Sequence, residues 1–280
     1  MGFSGYITIT RPLNASVAGI ASLLGYLIAA GGIAPGAALL IPVVILITAA
    51  GNVINDYCDR DIDRINRPDR PIPRGSVYPR SAFLYSILLF ASGIGTAVFT
   101  SPLCLGIALA NAAILILYAY RLKGMPFVGN LAVSYLAASI FLFGGALAGP
   151  DGMLQTVPVV AMTLCAMLCR EMLKDAEDVE GDSEGGAVTL PMVVGVRMTS
   201  RYAFVAAVIG VAISYLPVMR WWGVPYLAAI SVVNAGILAG ALLAYRCTRP
   251  ACVRESRATT VLKIGMFAAL AVFIAAAVAY

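Results

Sequence analysis

Histidine is absent from all 280 residues. That removes a His-ligated haem, the usual His or Cys/His zinc site and a Ser-His-Asp triad from consideration. Charge is scarce too: 12% of residues are Asp, Glu, Lys or Arg, against roughly 25% in soluble domains. Neither G-x-x-x-x-G-K-[ST] nor a dinucleotide fingerprint occurs, so no glycine-rich phosphate cradle is indicated. The six cysteines are scattered. Cys165 and Cys169 lie one helical turn apart inside an apolar run, which reads as core packing rather than a bridge or a ligand pair.

What is plentiful is apolar side chain. With 61% hydrophobic residues and a mean hydropathy of +0.90, the chain reads as a multispanning membrane protein. Gly, Pro or charge divides the apolar runs into nine candidate spans, at about 13–33, 36–57, 81–100, 102–120, 128–149, 154–174, 199–219, 224–245 and 259–279, each near the ~20 residues that cross hydrocarbon. Only Arg11 precedes the first run and no small-residue cleavage site follows, so it is read as a span rather than a signal peptide. Alternating the loops places 18 of the 19 Lys and Arg on one side, leaving Arg220 on the other. The positive-inside rule makes that side, with the N-terminus, cytoplasmic. The net charge of +5 is explained by these segregated arginines and needs no nucleic-acid partner; no protein partner is implied.

Two stretches carry acids where apolar runs end. Asn52 to Gly75 reads N-V-I-N-D-Y-C-D-R-D-I-D-R-I-N-R-P-D-R-P-I-P-R-G. On a continuous helix Asn52, Asn55, Asp56, Asp59 and Asp63 share one stripe about 100° wide, with Asp61 on the opposite face. Arg170 to Asp182 reads R-E-M-L-K-D-A-E-D-V-E-G-D, and Glu171, Asp175, Asp178 and Asp182 share a stripe likewise. Carboxylates crowded on one stripe repel each other, so a cation is expected between them. Oxygen donors of this kind suit a hard divalent ion such as Mg²⁺, which keeps waters and substrate phosphates in its shell. The bland alternative is a solvated helix end compensated by Arg60 and Arg64, but that leaves the second stripe unexplained.

The stripes lie about 119 positions apart, on the second and sixth spans. This suggests two four-helix halves plus a ninth helix in one all-α bundle, a single domain over 1–280 with active-site loops at about 58–80 and 175–198. Pro68, Pro71 and Pro73 are expected to end the first acidic helix and leave a partly extended loop; Gly181, Gly185 and Gly186 are expected to end the second. A metal site at the membrane face, with an apolar cavity behind it, suits a substrate with a diphosphate head and an apolar tail. Lys123, Lys174, Arg67, Arg70 and Arg74 are candidates for the anion, each also explicable by the positive-inside bias. Tyr118 and Tyr120 close the fourth span at the same face, where interfacial tyrosine is common anyway. Asn14 and Asn52 complete the substrate-binding candidates, and Gly93, Gly95, Gly144 and Gly145 are small residues that could set the depth of a tail cavity.

Asn55-Asp56-x-x-Asp59-x-x-x-Asp63 resembles the N-D-x-x-D-x-x-x-D signature of the UbiA-type intramembrane prenyltransferases, and Asp178-x-x-x-Asp182, preceded by Asp175, resembles their second motif. The likeness extends to the nine spans, the Tyr118 to Lys123 segment and Gly129-Asn130 at the start of span five. It implies that Asn55, Asp59, Asp63, Asp178 and Asp182, flanked by Asp56 and Asp175, hold two Mg²⁺ on a prenyl diphosphate that Lys123 touches. Arg67 to Gly75, Lys174 to Asp182 and Thr189-Leu190-Pro191 look most like the archaeal ether-lipid branch of that family. By that resemblance the reaction is transfer of a geranylgeranyl group to the hydroxyl of geranylgeranylglyceryl phosphate, in a multi-pass cell-membrane protein. Quinone-type and chlorophyll-type members remain alternatives, since the R-P-I-P run is shared with the latter; lack of His tells against haem-farnesylating members. A cation transporter is the rival of another class, although no acid lies at mid-span in any other helix.

Overall fold

The structure is a computed structural model that describes residues 3–218 and 222–279. Its helices are α1 (Phe3–Ile9), α2 (Pro12–Ala30), α3 (Leu40–Cys58), α4 (Arg60–Asn66), α5 (Pro79–Ala97), α6 (Pro102–Tyr120), α7 (Val128–Leu147), α8 (Pro150–Glu184), α9 (Leu190–Val194), α10 (Val196–Ile213), α11 (Gly223–Ala244), α12 (Pro250–Ser256) and α13 (Ala258–Ala279). No strand occurs among the described residues. Nine helices among them are long and apolar enough to cross a membrane: α2, α3 with its leading 3₁₀ turn, α5, α6, α7, α8, α10, α11 and α13. The expected nine spans are therefore present. Arg220, the basic residue assigned to the opposite side, lies outside the described residues.

Proline opens α2, α5, α6 and α12, where its missing N–H costs no helical bond and its fixed φ suits the first turn. Ser101 caps α6 by accepting a hydrogen bond from the Cys104 N–H. Gly31 closes α2 at φ 68°, its N–H returning to the Leu27 carbonyl.

The chain forms two compact units. The first comprises Met1–Leu122 and Ser139–Thr156. Its central helix is α3, which packs on α2, α5 and α6 and buries Leu40, Val43, Ile47, Ala50, Val53 and Ile54 at helical spacing. The missing side chain of Gly144 lets α7 meet the α2 backbone at Ser22 and Tyr26, Gly145 faces Gly152 and Thr156, and Gly93 faces Ile47. These three glycines make helix contacts of the small-residue kind common in membranes, which is a different duty from lining a cavity. Gly95 alone of the four has open space beside it.

The second unit comprises Lys123–Ala138 and Val157–Tyr280. Here α11 packs on α13 and α9 on α10, around Cys169, Met172, Leu173, Ala176, Val253 and Leu262. Cys165 and Cys169 are free thiols, as expected; Cys247 and Cys252 are disulfide-bonded, a pairing the spacing did not single out.

Two local expectations need correction. The second acidic helix does not stop at Gly181: α8 runs through it to Glu184 and ends at Gly185 and Gly186, the latter at φ 72°. One mid-helix glycine costs about 1 kcal/mol, too little to end a helix bonded on both sides. The proline-rich loop is also not extended. Arg70 N–H bonds Arg67, Arg74 bonds Arg70, and Ser76 and Val77 both bond Pro71, winding 67–77 into successive turns over buried Ile72 and Val77.

Candidate functional site

The first acidic stripe survives a break in its helix. Asp59 separates α3 from α4, yet its N–H bonds Asn55 at 2.9 Å and the Asp63 N–H bonds Asp59 at 2.8 Å, so the i to i−4 ladder continues. The stripe then divides into two rows. In one, the Asn55 amide donates to Asp59 Oδ2 at 2.9 Å. In the other, Asp56 and Asp63 are 4% and 5% exposed and both are bound by arginine. Arg11 Nη2 donates to Asp56 Oδ1 at 2.6 Å, and Arg70 Nη1 bridges Asp56 Oδ1 at 3.2 Å and Asp63 Oδ2 at 2.5 Å. Buried carboxylates require such partners. Asn52 donates to the Thr10 carbonyl at 3.0 Å. Asp61 lies outside the stripe, exposed, with Arg64 at 3.3 Å.

The second stripe belongs to the other unit. The 35 residues of α8 extend about 52 Å against a hydrocarbon layer of about 30 Å, so its last turns project past the apolar window. Asn130, buried near the start of α7, donates to Asp175 Oδ2 at 2.8 Å. Burial raises the Asp175 carboxyl above its ordinary value, opposed by the Asn130 hydrogen bond and reinforced by Asp182 and Glu171. Burial also raises Asp182, with Asp178 adding to the shift and Lys174 opposing it. These acids thus sense one another, and Lys174 is the cation among them. Glu171 is taken by Arg170 at 2.5 Å.

Of the basic and aromatic candidates, Lys123 sits on the 3₁₀ turn Leu122–Gly124, and the Gly124 carbonyl accepts the Val188 N–H at 3.3 Å. That bond ties the Lys123 turn to the segment six residues beyond Asp182. Arg67 and Arg74 are exposed, Arg70 is turned inward, and Asn14 is exposed in the first turn of α2. Tyr118 is half-buried; Tyr120 is exposed and lies beside Cys58 and Tyr57. Arg11 and Asn130 are the contributors that motif reading missed as site residues. Each reaches an acid 45 positions away, a distance at which no spacing rule operates.

Among the described residues no three acidic side chains converge as ligands of one ion. The donors present are nonetheless all oxygen. Mg²⁺ keeps several waters and takes substrate phosphate oxygens rather than a full protein cage, so these donors fit such an ion.

The chain belongs to the UbiA prenyltransferase family, which it matches over residues 18–271. It is 56% identical to the digeranylgeranylglyceryl phosphate synthase of Methanoculleus marisnigri over 99% of this chain and 100% of that protein. A solved structure of digeranylgeranylglyceryl phosphate synthase superposes with a TM-score of 0.85 at 33% identity, covering 99% of both chains. A UbiA homologue from Archaeoglobus fulgidus bound to GPP and Mg²⁺ shares the fold, with a TM-score of 0.65 at 20% identity over 96% of this chain and 99% of that one. The protein is thus a multi-pass membrane prenyltransferase.

Proposed function

We propose that this enzyme transfers the geranylgeranyl group of geranylgeranyl diphosphate to the free hydroxyl of geranylgeranylglyceryl phosphate, making the second ether bond of an archaeal membrane lipid. The observation that carries the reading is the end-to-end likeness to digeranylgeranylglyceryl phosphate synthases, with both acidic motifs in place. Residues 1–280 act as one catalytic domain. Its acidic helix ends face the cytoplasm, the side to which the distribution of Lys and Arg assigns them.

By the family resemblance, Asn55, Asp59 and Asp63 of the first motif and Asp175, Asp178 and Asp182 of the second are the oxygen donors that would hold Mg²⁺. When bound, the metal neutralises the diphosphate and stabilises it as a leaving group. Lys123 and Lys174 add positive charge against the same phosphates, and Tyr118 and Tyr120 border them. The allylic C–O bond breaks, the diphosphate keeps the electron pair, and an apolar pocket shields the delocalised carbocation from water. The acceptor hydroxyl oxygen then forms the ether bond and loses its proton. Arg67 and Arg74, the outward arginines of the 67–77 turns, hold the phosphate of the acceptor.

Incubating the purified membrane protein with labelled geranylgeranyl diphosphate and either geranylgeranylglyceryl phosphate or 4-hydroxybenzoate tests the reading. Ether product is expected with the first acceptor only, abolished by EDTA and by Asp59→Ala or Asp178→Ala in protein that remains folded. Unimpaired transfer by either variant, or prenylation of the benzoate alone, ends it.

A further inference from the structure

The acidic stripe on α3 performs a second task, gripping the corner between α1 and α2. Asn52 and Asp56 stand one helical turn apart. Asn52 donates to the Thr10 carbonyl and Asp56 accepts from Arg11, the next residue. Arg11 adopts φ 50° and ψ 63°, a left-handed conformation that residues other than glycine rarely adopt. Surrounding contacts must impose it, and those two polar bonds fasten the corner at that point.

The charges in this cluster balance. Arg11 and Arg70 face Asp56 and Asp63, and both carboxylates are almost fully buried. Arg70 lies nearer Asp63, at 2.5 Å, than Asp56, at 3.2 Å, while Arg11 holds Asp56 at 2.6 Å. Without Arg11, Asp56 would be a buried charge short of its partner, and Arg70 would be the nearest cation to compensate it. Its hold on Asp63 would loosen, and with it the 67–77 turns.

We infer that Arg11 is a positioning residue of the transferase, acting through Asp56 and Arg70 on the Asp63 carboxylate, and that Asp56 belongs to this clasp rather than to the metal ligands. The inference rests on the functional reading above only for its kinetic readout.

Arg11→Ala, Arg11→Lys, Asp56→Asn and the double variant R11A/D56N are compared in nanodiscs by turnover and by Mn²⁺ binding in the presence of inorganic pyrophosphate. Arg11→Ala should lower kcat at least tenfold with KM for the prenyl diphosphate changed less than threefold. It should weaken Mn²⁺ binding at least fivefold and speed tryptic cleavage in the 64–80 segment. Arg11→Lys, which keeps the charge, should restore all three readouts to within threefold. R11A/D56N should be no worse than Arg11→Ala, because the uncompensated charge is gone. If Arg11→Ala does not fold, the balanced R11A/D56N pair carries the test and should retain Mn²⁺ binding within fivefold of the parent. Parent-like behaviour of Arg11→Ala, losses that multiply in the double variant, or a double variant that no longer binds Mn²⁺ would overturn the inference. Failure of the parent protein to make ether product would count against the functional reading, while the Mn²⁺ and tryptic measurements would still decide this one.

Discussion

The buried amide of Asn130 donates to Asp175 at 2.8 Å, linking the start of α7 to the projecting end of α8. Asp175 is held above its ordinary carboxyl value chiefly by burial, and the amide, ahead of Lys174, is the larger of the two influences that favour its ionised form. Asn130→Asp would set a second carboxylate against the first, and like charges at that distance disfavour ionisation of both. Turnover should fall at least a hundredfold and half-saturating Mg²⁺ should rise. Asn130→Ala, which removes the donor without adding charge, should cost about tenfold. Steady-state kinetics across a Mg²⁺ titration distinguish the two.

Gly144 is expected to matter for folding rather than for the length of the prenyl chain. A side chain there would strike the α2 backbone at Ser22 and Tyr26, and backbone cannot rotate aside. Overpacking costs 1–3 kcal/mol or more, so Gly144→Val should lower the melting temperature in detergent by several degrees. Gly95, with open space beside it, should accept Val with little change. Product chain length, followed by mass spectrometry with C15 and C20 donors, should be the same for both variants that fold.

The spans and both stripes were legible for one physical reason: each depends on local periodicity. Runs of about 20 apolar residues declare themselves whatever they pack against, and the first stripe outlasted the break at Asp59 because the hydrogen-bond ladder continued through it. Contacts made only by tertiary packing were not legible. Nothing near Arg11 or Asn130 indicates an acid 45 positions away. The 67–77 loop misled for a different reason. Three prolines forbid helix there, but they leave the Arg70 and Arg74 N–H groups free to close turns. That winding sends Arg70 inward while Arg67 and Arg74 stay exposed, a distinction that a count of arginines cannot make.

The division among those arginines can be measured. Arg67→Ala and Arg74→Ala should each raise KM for the phosphate-bearing acceptor, by about three- to tenfold for one exposed charge-assisted contact, and leave KM for the prenyl diphosphate within twofold. Arg70→Ala should instead lower kcat, since its guanidinium is occupied by Asp56 and Asp63. Initial rates with each substrate varied in turn separate the patterns; equal KM effects on both substrates would place Arg67 and Arg74 at the diphosphate.

Glu177 and Asp178 are neighbours on α8 with different duties. The Glu177 carboxylate accepts the Thr259 hydroxyl at 2.8 Å, and its backbone carbonyl accepts Arg254 at 2.8 Å. Both donors come from α12 and α13, so Glu177 fastens those helices to the turn that bears the second motif. A hydrogen bond to a charged group contributes roughly 1.5–3 kcal/mol, and this one is partly buried. Glu177→Ala should therefore reduce the melting temperature by a few degrees yet keep turnover within threefold. Asp178→Asn should do the reverse, retaining the melting temperature and losing at least a hundredfold in turnover, since on the proposed reading it would remove a carboxylate charge offered to the metal while keeping the side chain's size. Melting curves and product assays on the two single variants are sufficient: if Glu177→Ala proves as inactive as Asp178→Asn while staying folded, the acid that faces α12 and α13 is part of the reaction centre and the division drawn here is wrong.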